Sequence, residues 1–372
     1  MQKQAFDPWH YSRHELAQRY IDTFGLGLES ARGIFAKRRM GKTEFLKMDL
    51  IPAAEQAGYL TAYANLWDNK DNPAAALIEA LSLAIEPQGL NRLWQSLSPP
   101  VKKVKVGAKV AGLAAGEVEA ELAEATNSAN TALSTVMRAL DKTGKKLLLA
   151  LDEAQVLAWS EHSSFAHALR AALDIRKASI KVIFAGSSEN TLRRMFARAS
   201  EPFYNWAALE PFELLGEKFV EAMVAKVNAL TKYALQPEDA LWAFAELNNT
   251  PDFFRRFLNR YLTHAQLGVR DAVQATKEQV FSDSEFVNCW QSLSPADKEV
   301  LRLLAEGVSD LHGIAARTQI AHALGKDKPV SMNVPQHALR RFVANAIVTR
   351  LDQGDYRFED DAFAQWVRHM RR

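Results

Sequence analysis

Ala36-Lys37-Arg38-Arg39-Met40-Gly41-Lys42-Thr43, directly after the apolar run Gly33-Ile34-Phe35, is the stretch that decides the fold. It fits the relaxed phosphate-binding loop: Ala or Gly, four residues, then Gly-Lys-Thr. Successive backbone N–H groups must curl around a β-phosphate, and Gly41 lets the chain approach without a Cβ in the way. Lys42 offers a point charge to the β/γ-phosphates and Thr43 a hydroxyl to Mg²⁺. A helix starting at about Lys42 adds its positive dipole end. Lys37 to Glu44 are therefore the candidate nucleotide-binding residues. The setting agrees: residues 31–36 read as a buried strand, and Glu44 to Ile51 as a helix ending near Pro52.

A second stretch supports the first. Lys145-Lys146-Leu147-Leu148-Leu149-Ala150-Leu151 is an apolar strand with Asp152 and Glu153 at its carboxyl end. Parallel strands buried on both faces read as continuous apolar runs, and ligands sit beyond their carboxyl ends. Asp152 is placed to hold Mg²⁺, directly or through water, and Glu153 to orient or deprotonate an attacking water. Two acidic residues opening a helix are the bland alternative, and it weakens when they follow a phosphate loop.

Composition sets the frame. The 372 residues allow two or three domains with a full core. The 48% hydrophobic and 24% charged content is that of an ordinary soluble protein. A formal net charge of +2 gives no global attraction to nucleic acid. The single cysteine, Cys289, excludes an internal disulfide and suits a reducing compartment. No apolar run reaches the roughly 18 residues of a spanning helix, and the amino terminus lacks a signal-peptide core. The expected location is the cytoplasm, with no membrane partner.

Further elements follow from patterning. Ser12 to Thr23 read as a helix with Ser12 as N-cap. Tyr59 to Leu66 read as a strand, 74–85 as a helix, and 165–175 as another. The stretch 101–122 alternates with period two around Gly107 and Gly112 to Gly116, which predicts a β-hairpin insertion. One arm carries Lys102, Lys103, Lys105 and Lys109, the other Glu117, Glu119 and Glu121. Cross-strand charge pairing accounts for this; a phosphate-contacting basic arm is the alternative. Ser179 to Ala185 form another apolar strand ending in Gly186-Ser187-Ser188. Ser187 or Ser188 is the candidate to sense the γ-phosphate, the other reading being a helix N-cap.

From Pro211 the pattern is helical: 213–230, 237–247 and 252–266. A last unit begins near Phe286. Ser294 N-caps a helix to Leu304; helices 318–324 and 334–344 follow, then a hairpin around Asp352-Gln353-Gly354-Asp355. Helix, helix, helix, hairpin is the order of a winged helix-turn-helix. The fold class is α/β: a P-loop NTPase core with a parallel sheet (1–210), a helical lid (211–283) and a winged helix (284–372).

With these residues in place, the chain resembles the AAA+-related STAND ATPases, in the branch called archaeal-type ATPases, which also occurs in bacteria. The resemblance rests on Lys37 to Thr43, Leu151-Asp152-Glu153-Ala154-Gln155, and Ala185-Gly186-Ser187-Ser188 with Leu192 and Phe196. Pro202-Phe203-Tyr204, Leu209-Glu210-Pro211-Phe212, Pro251 and Asp360-Asp361-Ala362-Phe363-Ala364-Gln365-Trp366 add to it, so it runs from about Ser12 to Trp366. It implies ATP or ADP between core and lid, with a Gly-x-Pro turn approaching the nucleotide. Here Asn249 stands at the glycine position and Pro251 is kept as the binding candidate. Relatives often carry a Gly-Arg pair where this chain has Asn205-Trp206, so no arginine finger is assigned there; Arg193, Arg194 and Arg198 are the substitutes.

The leading functional expectation is a slow ATPase acting as a switch, with nucleotide state controlling lid and winged helix. Glu153 and Ser187 are its catalytic candidates, Thr43 and Asp152 its Mg²⁺ candidates. A protein partner or oligomer is expected. One alternative is an ATP-regulated DNA-binding protein that uses Gln336, His337, Arg340 and Arg341, with Arg350 and Arg357 on the wing. Another is a nucleotide-bound scaffold with little turnover.

Overall fold

The computed structural model describes residues 7–85, 115–281, 284–345, 347–352 and 355–370. By internal packing the chain divides into two units. One comprises Ser12–Phe35 and Lys42–Phe212; the other comprises Ala5–Tyr11, Ala36–Gly41 and Glu213–Arg372.

The first unit is an α/β layer structure around a five-stranded sheet. Its strands are β1 (Ala31–Phe35), β2 (Leu60–Asn65), β3 (Leu147–Asp152), β4 (Ile180–Gly186) and β5 (Ala208–Pro211), in the order β2-β3-β4-β1-β5. Every pairing is parallel. β3 and β4 are buried at every position, which is why Leu147 to Leu151 and Val182 to Ala185 read as unbroken apolar runs. Because β4 runs parallel to both of its neighbours, β1 and β3, the carboxyl ends of all three open on the same edge of the sheet.

Helices flank the sheet: α1 (His14–Gly25), α2, α3 (Pro73–Ile85), α4 (Ala115–Thr143), α5 (Ser163–Asp174) and α6 (Glu189–Ala197). The helix after β1, α2, begins with Lys42–Phe45, passes through a π turn at Leu46–Leu50 and continues as Ile51–Gln56. The expected stop near Pro52 is thus corrected. In the π turn the Ile51 N–H bonds to Leu46 O, and that offset accommodates a proline that would otherwise break the ladder.

A second correction concerns 101–122. Its first arm lies outside the described residues. The second arm, with Glu117, Glu119 and Glu121, lies in helix α4, not in a strand. The stretch is rich in Ala, Glu and Leu, whose helix propensity outweighs a short period-two coincidence. Ser12 is also not the N-cap of α1: Arg13 holds that position, and the Ser12 hydroxyl donates to Asp49 Oδ1 at 3.0 Å.

The second unit contains α7 (Glu217–Asn228), α8 (Pro237–Glu246), α9 (Pro251–Thr263), α10 (Gly268–Phe281), α11 (Ser284–Ser292), α12 (Pro295–Ala305), α13 (Ile314–Ala323) and α14 (Asn333–Ala344). These are followed by the antiparallel pair β6 (Val348–Asp352) and β7 (Asp355–Phe358), and by α15 (Asp361–His369). Phe219, Phe244, Phe254 and Phe257 make edge-on and stacked contacts at its centre. Ser294 caps α12 through a capping box with Asp297, and Arg341 on α14 forms an ion pair with the same Asp297.

Candidate functional site

The loop after β1 has the backbone that its sequence demands. Gly41 sits at φ +85° with open space where a Cβ would stand, so the left-handed turn is free of steric cost only for glycine. Arg39 also takes a positive φ, +66°. Lys37 is exposed, Arg38 is partly buried, Met40 is buried, and Lys42 is buried at 4% exposure. Lys42, Thr43 and Glu44 form the first turn of α2.

Beyond β3 the structure joins two sequence-distant candidates. Thr43 Oγ1 donates to Asp152 Oδ2 at 2.5 Å. Tyr63 on β2 donates its hydroxyl to the same oxygen at 2.9 Å. Oδ1 of Asp152 accepts the Glu153 N–H at 3.0 Å. Burial pushes the Asp152 carboxyl above its ordinary range, while the Thr43 hydrogen bond, the Tyr63 hydrogen bond and the Lys42 charge oppose that push. Burial, with the Asp152 carboxylate beside it, raises Tyr63 as well, so its phenol remains a donor.

Glu153 takes a different direction. Its φ of +52° is left-handed, turning its side chain toward the end of β4. There Ser187 Oγ donates to Glu153 Oε2 at 2.8 Å. The buried Gln155 amide donates to the same carboxylate and, at 3.1 Å, to Ser187 Oγ. These three side chains close a ring. Gly186 makes room for it, since a Cβ there would stand 2.3 Å from Gln155 Oε1. Ser188 occupies the N-cap position of α6 but makes no cap bond; its hydroxyl donates to Thr191 Oγ1 at 2.9 Å.

Sequence reasoning gave no role to Tyr63 or Gln155, whose hydrogen bonds join them to the acidic strand end. Gln155 stood in the quoted Asp-Glu-Ala-Gln run without a role. Tyr63 carried a clue, a phenol between two alanines and two residues from the end of β2.

In the second unit, Arg39 of the loop has its guanidinium carbon 5.2 Å from the Phe253 ring centre and 5.3 Å from that of Phe286. Its Nη1 lies 3.6 Å from Asp360 Oδ2. Pro251 is the buried first residue of α9, with Thr250 as N-cap. Asn248 and Asn249 both have positive φ, 58° and 50°, a region that asparagine tolerates better than most residues.

Two of the arginine substitutes have local side-chain partners, and the third, Arg198, is exposed at the end of α6. Arg193 pairs with Glu189, and Arg194 bonds Ala158 O at 3.0 Å. The Asn205-Trp206 position is structural: Asn205 has φ 50°, and Trp206 packs on Phe184 and Phe203 and donates to Asp174 at 2.9 Å.

Thr43 and Asp152 are hard oxygen donors suited to Mg²⁺. Among the described residues no cluster of three or more His, Cys, Asp or Glu could hold a metal ion. The donor set therefore fits a cation that arrives with phosphate oxygens and water, not one caged by protein alone.

Sheet order, loop and acidic strand end together define an α/β P-loop NTPase fold. Among solved structures the chain is similar to the Walker-type ATPase of Pyrococcus abyssi, with a TM-score of 0.57 and 18% identity over 99% of this chain and 97% of that one. It is similar to the ORC2 protein of Aeropyrum pernix in its ADPNP–ADP complexes, with a TM-score of 0.57 and 15% identity over 98% and 95%. The ORC1 protein of the same organism, in complex with DNA, follows with a TM-score of 0.52 and 14% identity over 97% and 93%. At these identities the likeness is one of fold. No protein-family model matches the chain, and no curated protein matches it significantly. Among the described residues no helix is long and apolar enough to cross a membrane.

Proposed function

We propose that this chain binds ATP and ADP with Mg²⁺, hydrolyses ATP slowly, and uses nucleotide state to control its carboxyl-terminal helices. The observation that carries the reading is Arg39. It belongs to the phosphate-binding loop, yet its side chain is gripped by Phe253, Phe286 and Asp360. A loop that reshapes around phosphates cannot do so without pulling on those contacts. The two states need differ by only a few kcal/mol for nucleotide to shift the balance.

In this reading residues 1–210 are the ATPase core, 211–283 the lid and 284–372 a winged helix. Lys37 to Glu44 surround the phosphates, Lys42 countering their charge, and Pro251 approaches the nucleotide from the lid. Thr43 and Asp152 hold Mg²⁺, which when bound neutralises charge on the phosphate oxygens. Glu153 orients and deprotonates the attacking water, with Ser187 placing its carboxylate. The fold shared with the Walker-type ATPase and with the ORC2 protein in its ADPNP–ADP complexes supports the nucleotide-binding part of this reading.

The test combines phosphate release with small-angle scattering. Wild-type protein is expected to change its scattering profile between ADP and ATP. Glu153→Gln should lose at least about 100-fold in turnover, the usual scale for a general base, and hold the ATP profile. Unchanged turnover removes Glu153 from its role. Identical profiles in both nucleotides remove the switch.

A second reading, DNA binding through α14, is favoured by the exposure of Gln336, His337 and Arg340 on adjacent turns. Arg341 is partly committed to Asp297. Affinity for duplex DNA that falls with salt, measured with and without ATP, would support it.

A further inference from the structure

We propose that Tyr63 is a positioning residue for Mg²⁺ binding: its hydroxyl orients the Asp152 carboxylate, and through Asp152 the Thr43 hydroxyl. The proposal rests on the nucleotide reading above and adds to it a residue on β2 that belongs to neither the phosphate loop nor the acidic strand end.

A carboxylate oxygen has two lone-pair directions. At Asp152 Oδ2 both are taken, one by Thr43 Oγ1 and one by Tyr63 Oη. The consequence for Thr43 is direct. A hydroxyl can ligate a cation through its oxygen only while its proton points elsewhere, and here Asp152 receives that proton. Tyr63 fixes the rotation of the carboxylate that receives it. Without the phenol, only Thr43 and the Glu153 N–H hold the Asp152 carboxylate, and the acceptor of the Thr43 proton is less firmly placed. Outer partners of this kind commonly carry a large share of metal affinity.

Lys47 is a second, independent observation. Its ammonium nitrogen lies 4.4 Å from the Tyr63 ring centre. Lys47 sits on the π turn Leu46–Leu50, and π turns inside helices often mark functional positions. A cation over the ring face draws electron density from the phenol, which strengthens the hydroxyl as a donor. Strand register places the phenol within reach: Tyr63 pairs with Ala150 and Asn65 with Asp152, so the ring leans along the strand to the carboxylate two positions on.

The test measures affinity for a fluorescent ADP analogue in EDTA and across a MgCl₂ titration. Tyr63→Phe keeps the ring and its Lys47 contact and removes only the hydroxyl. Its Mg²⁺ midpoint should rise about 10-fold, the lower end of typical effects for such partners, with EDTA affinity unchanged. Lys47→Gln should move the midpoint in the same direction by about twofold, and it keeps the idea testable if Tyr63→Phe folds poorly. Thr61→Val, on the same strand with its hydroxyl bonded to Glu55, should leave the midpoint where it is. A folded Tyr63→Phe with an unmoved midpoint, or one that loses EDTA affinity equally, overturns the proposal. Wild-type protein that fails to bind the analogue, or binds it without regard to Mg²⁺, instead overturns the nucleotide reading beneath it.

Discussion

Replacing Arg39 separates two quantities that the structure joins at one residue, side-chain contacts and backbone strain. Arg39→Ala removes two cation–π contacts, at 5.2 and 5.3 Å, each worth about 0.5–1 kcal/mol. It also removes the pair with Asp360 at 3.6 Å, both side chains less than one-fifth exposed, worth up to about 1 kcal/mol. The sum is about 2 kcal/mol, and alanine keeps a Cβ at φ +66°. Arg39→Gly loses the same contacts but relieves about 1–2 kcal/mol of left-handed strain. Against that stands about 0.5–1 kcal/mol of extra backbone entropy in the unfolded chain. Glycine should therefore be the milder substitution by about 0.5–1 kcal/mol, although it is the smaller residue. Urea unfolding without nucleotide, followed by tryptophan fluorescence, resolves this. With a slope of about 2 kcal/mol per M, alanine lowers the midpoint by about 1 M and glycine by clearly less. A glycine variant equal to or worse than alanine refutes the strained loop. Two variants both matching wild type refute the contacts.

Gly186→Ala should displace Gln155, whose Oε1 would lie 2.3 Å from the new Cβ, and press on Leu192 Cδ1 at 2.8 Å. We expect a loss of about 1–3 kcal/mol, as for other overpacked sites, together with reduced turnover, since Glu153 loses its Gln155 bond; unfolding and phosphate release together read both effects. Asp174 gives a pH prediction. Burial alone would raise its carboxyl, but hydrogen bonds from Arg170, Lys177 and Trp206 outweigh it and hold the group below its ordinary range. The ionised form is thus favoured by folding, and its contribution is present above the unfolded value of about 3.9 and lost as pH falls through the folded one. Asp174→Asn should melt below wild type at pH 7, and the gap should close on acidification toward and below pH 4; a gap constant with pH would refute the assignment.

The core was legible because burial on both faces leaves a plain imprint. Leu147 to Leu151 and Val182 to Ala185 read as central parallel strands by their length and apolar continuity, and the loop and acidic pair at strand ends fit that reading. Ser294 announced its helix through Asp297 three residues on, and the capping box is present. Where local pattern competed with propensity, pattern misled: residues 117–122 alternate, yet they belong to a long helix. Pro52 misled for a different reason. A proline stops an ordinary helix, but nothing local in Leu46 to Leu50 announces the π turn that lets it continue. Tyr63 and Gln155 stayed silent because their importance lies in partners on other strands, 89 and 32 positions away.

The adjacent Asp152 and Glu153 reach different partners because the backbone turns between them. Two carboxylates side by side in a regular strand would point to opposite faces of the sheet. Here β3 ends at Asp152, and Glu153 turns into the left-handed region. Asp152, still in the strand, reaches Thr43 and Tyr63, and the turn at Glu153 brings that side chain to Ser187 and Gln155. The division works only because β4 is inserted between β1 and β3, delivering Ser187 beside the acidic end while the phosphate loop lies one strand further on. A sheet with β1 directly beside β3 would leave Glu153 without a partner from that strand. The strand order therefore separates two adjacent carboxylates and gives each its own hydrogen-bonded support, the arrangement that the proposed division into a Mg²⁺ holder and a water-orienting base requires.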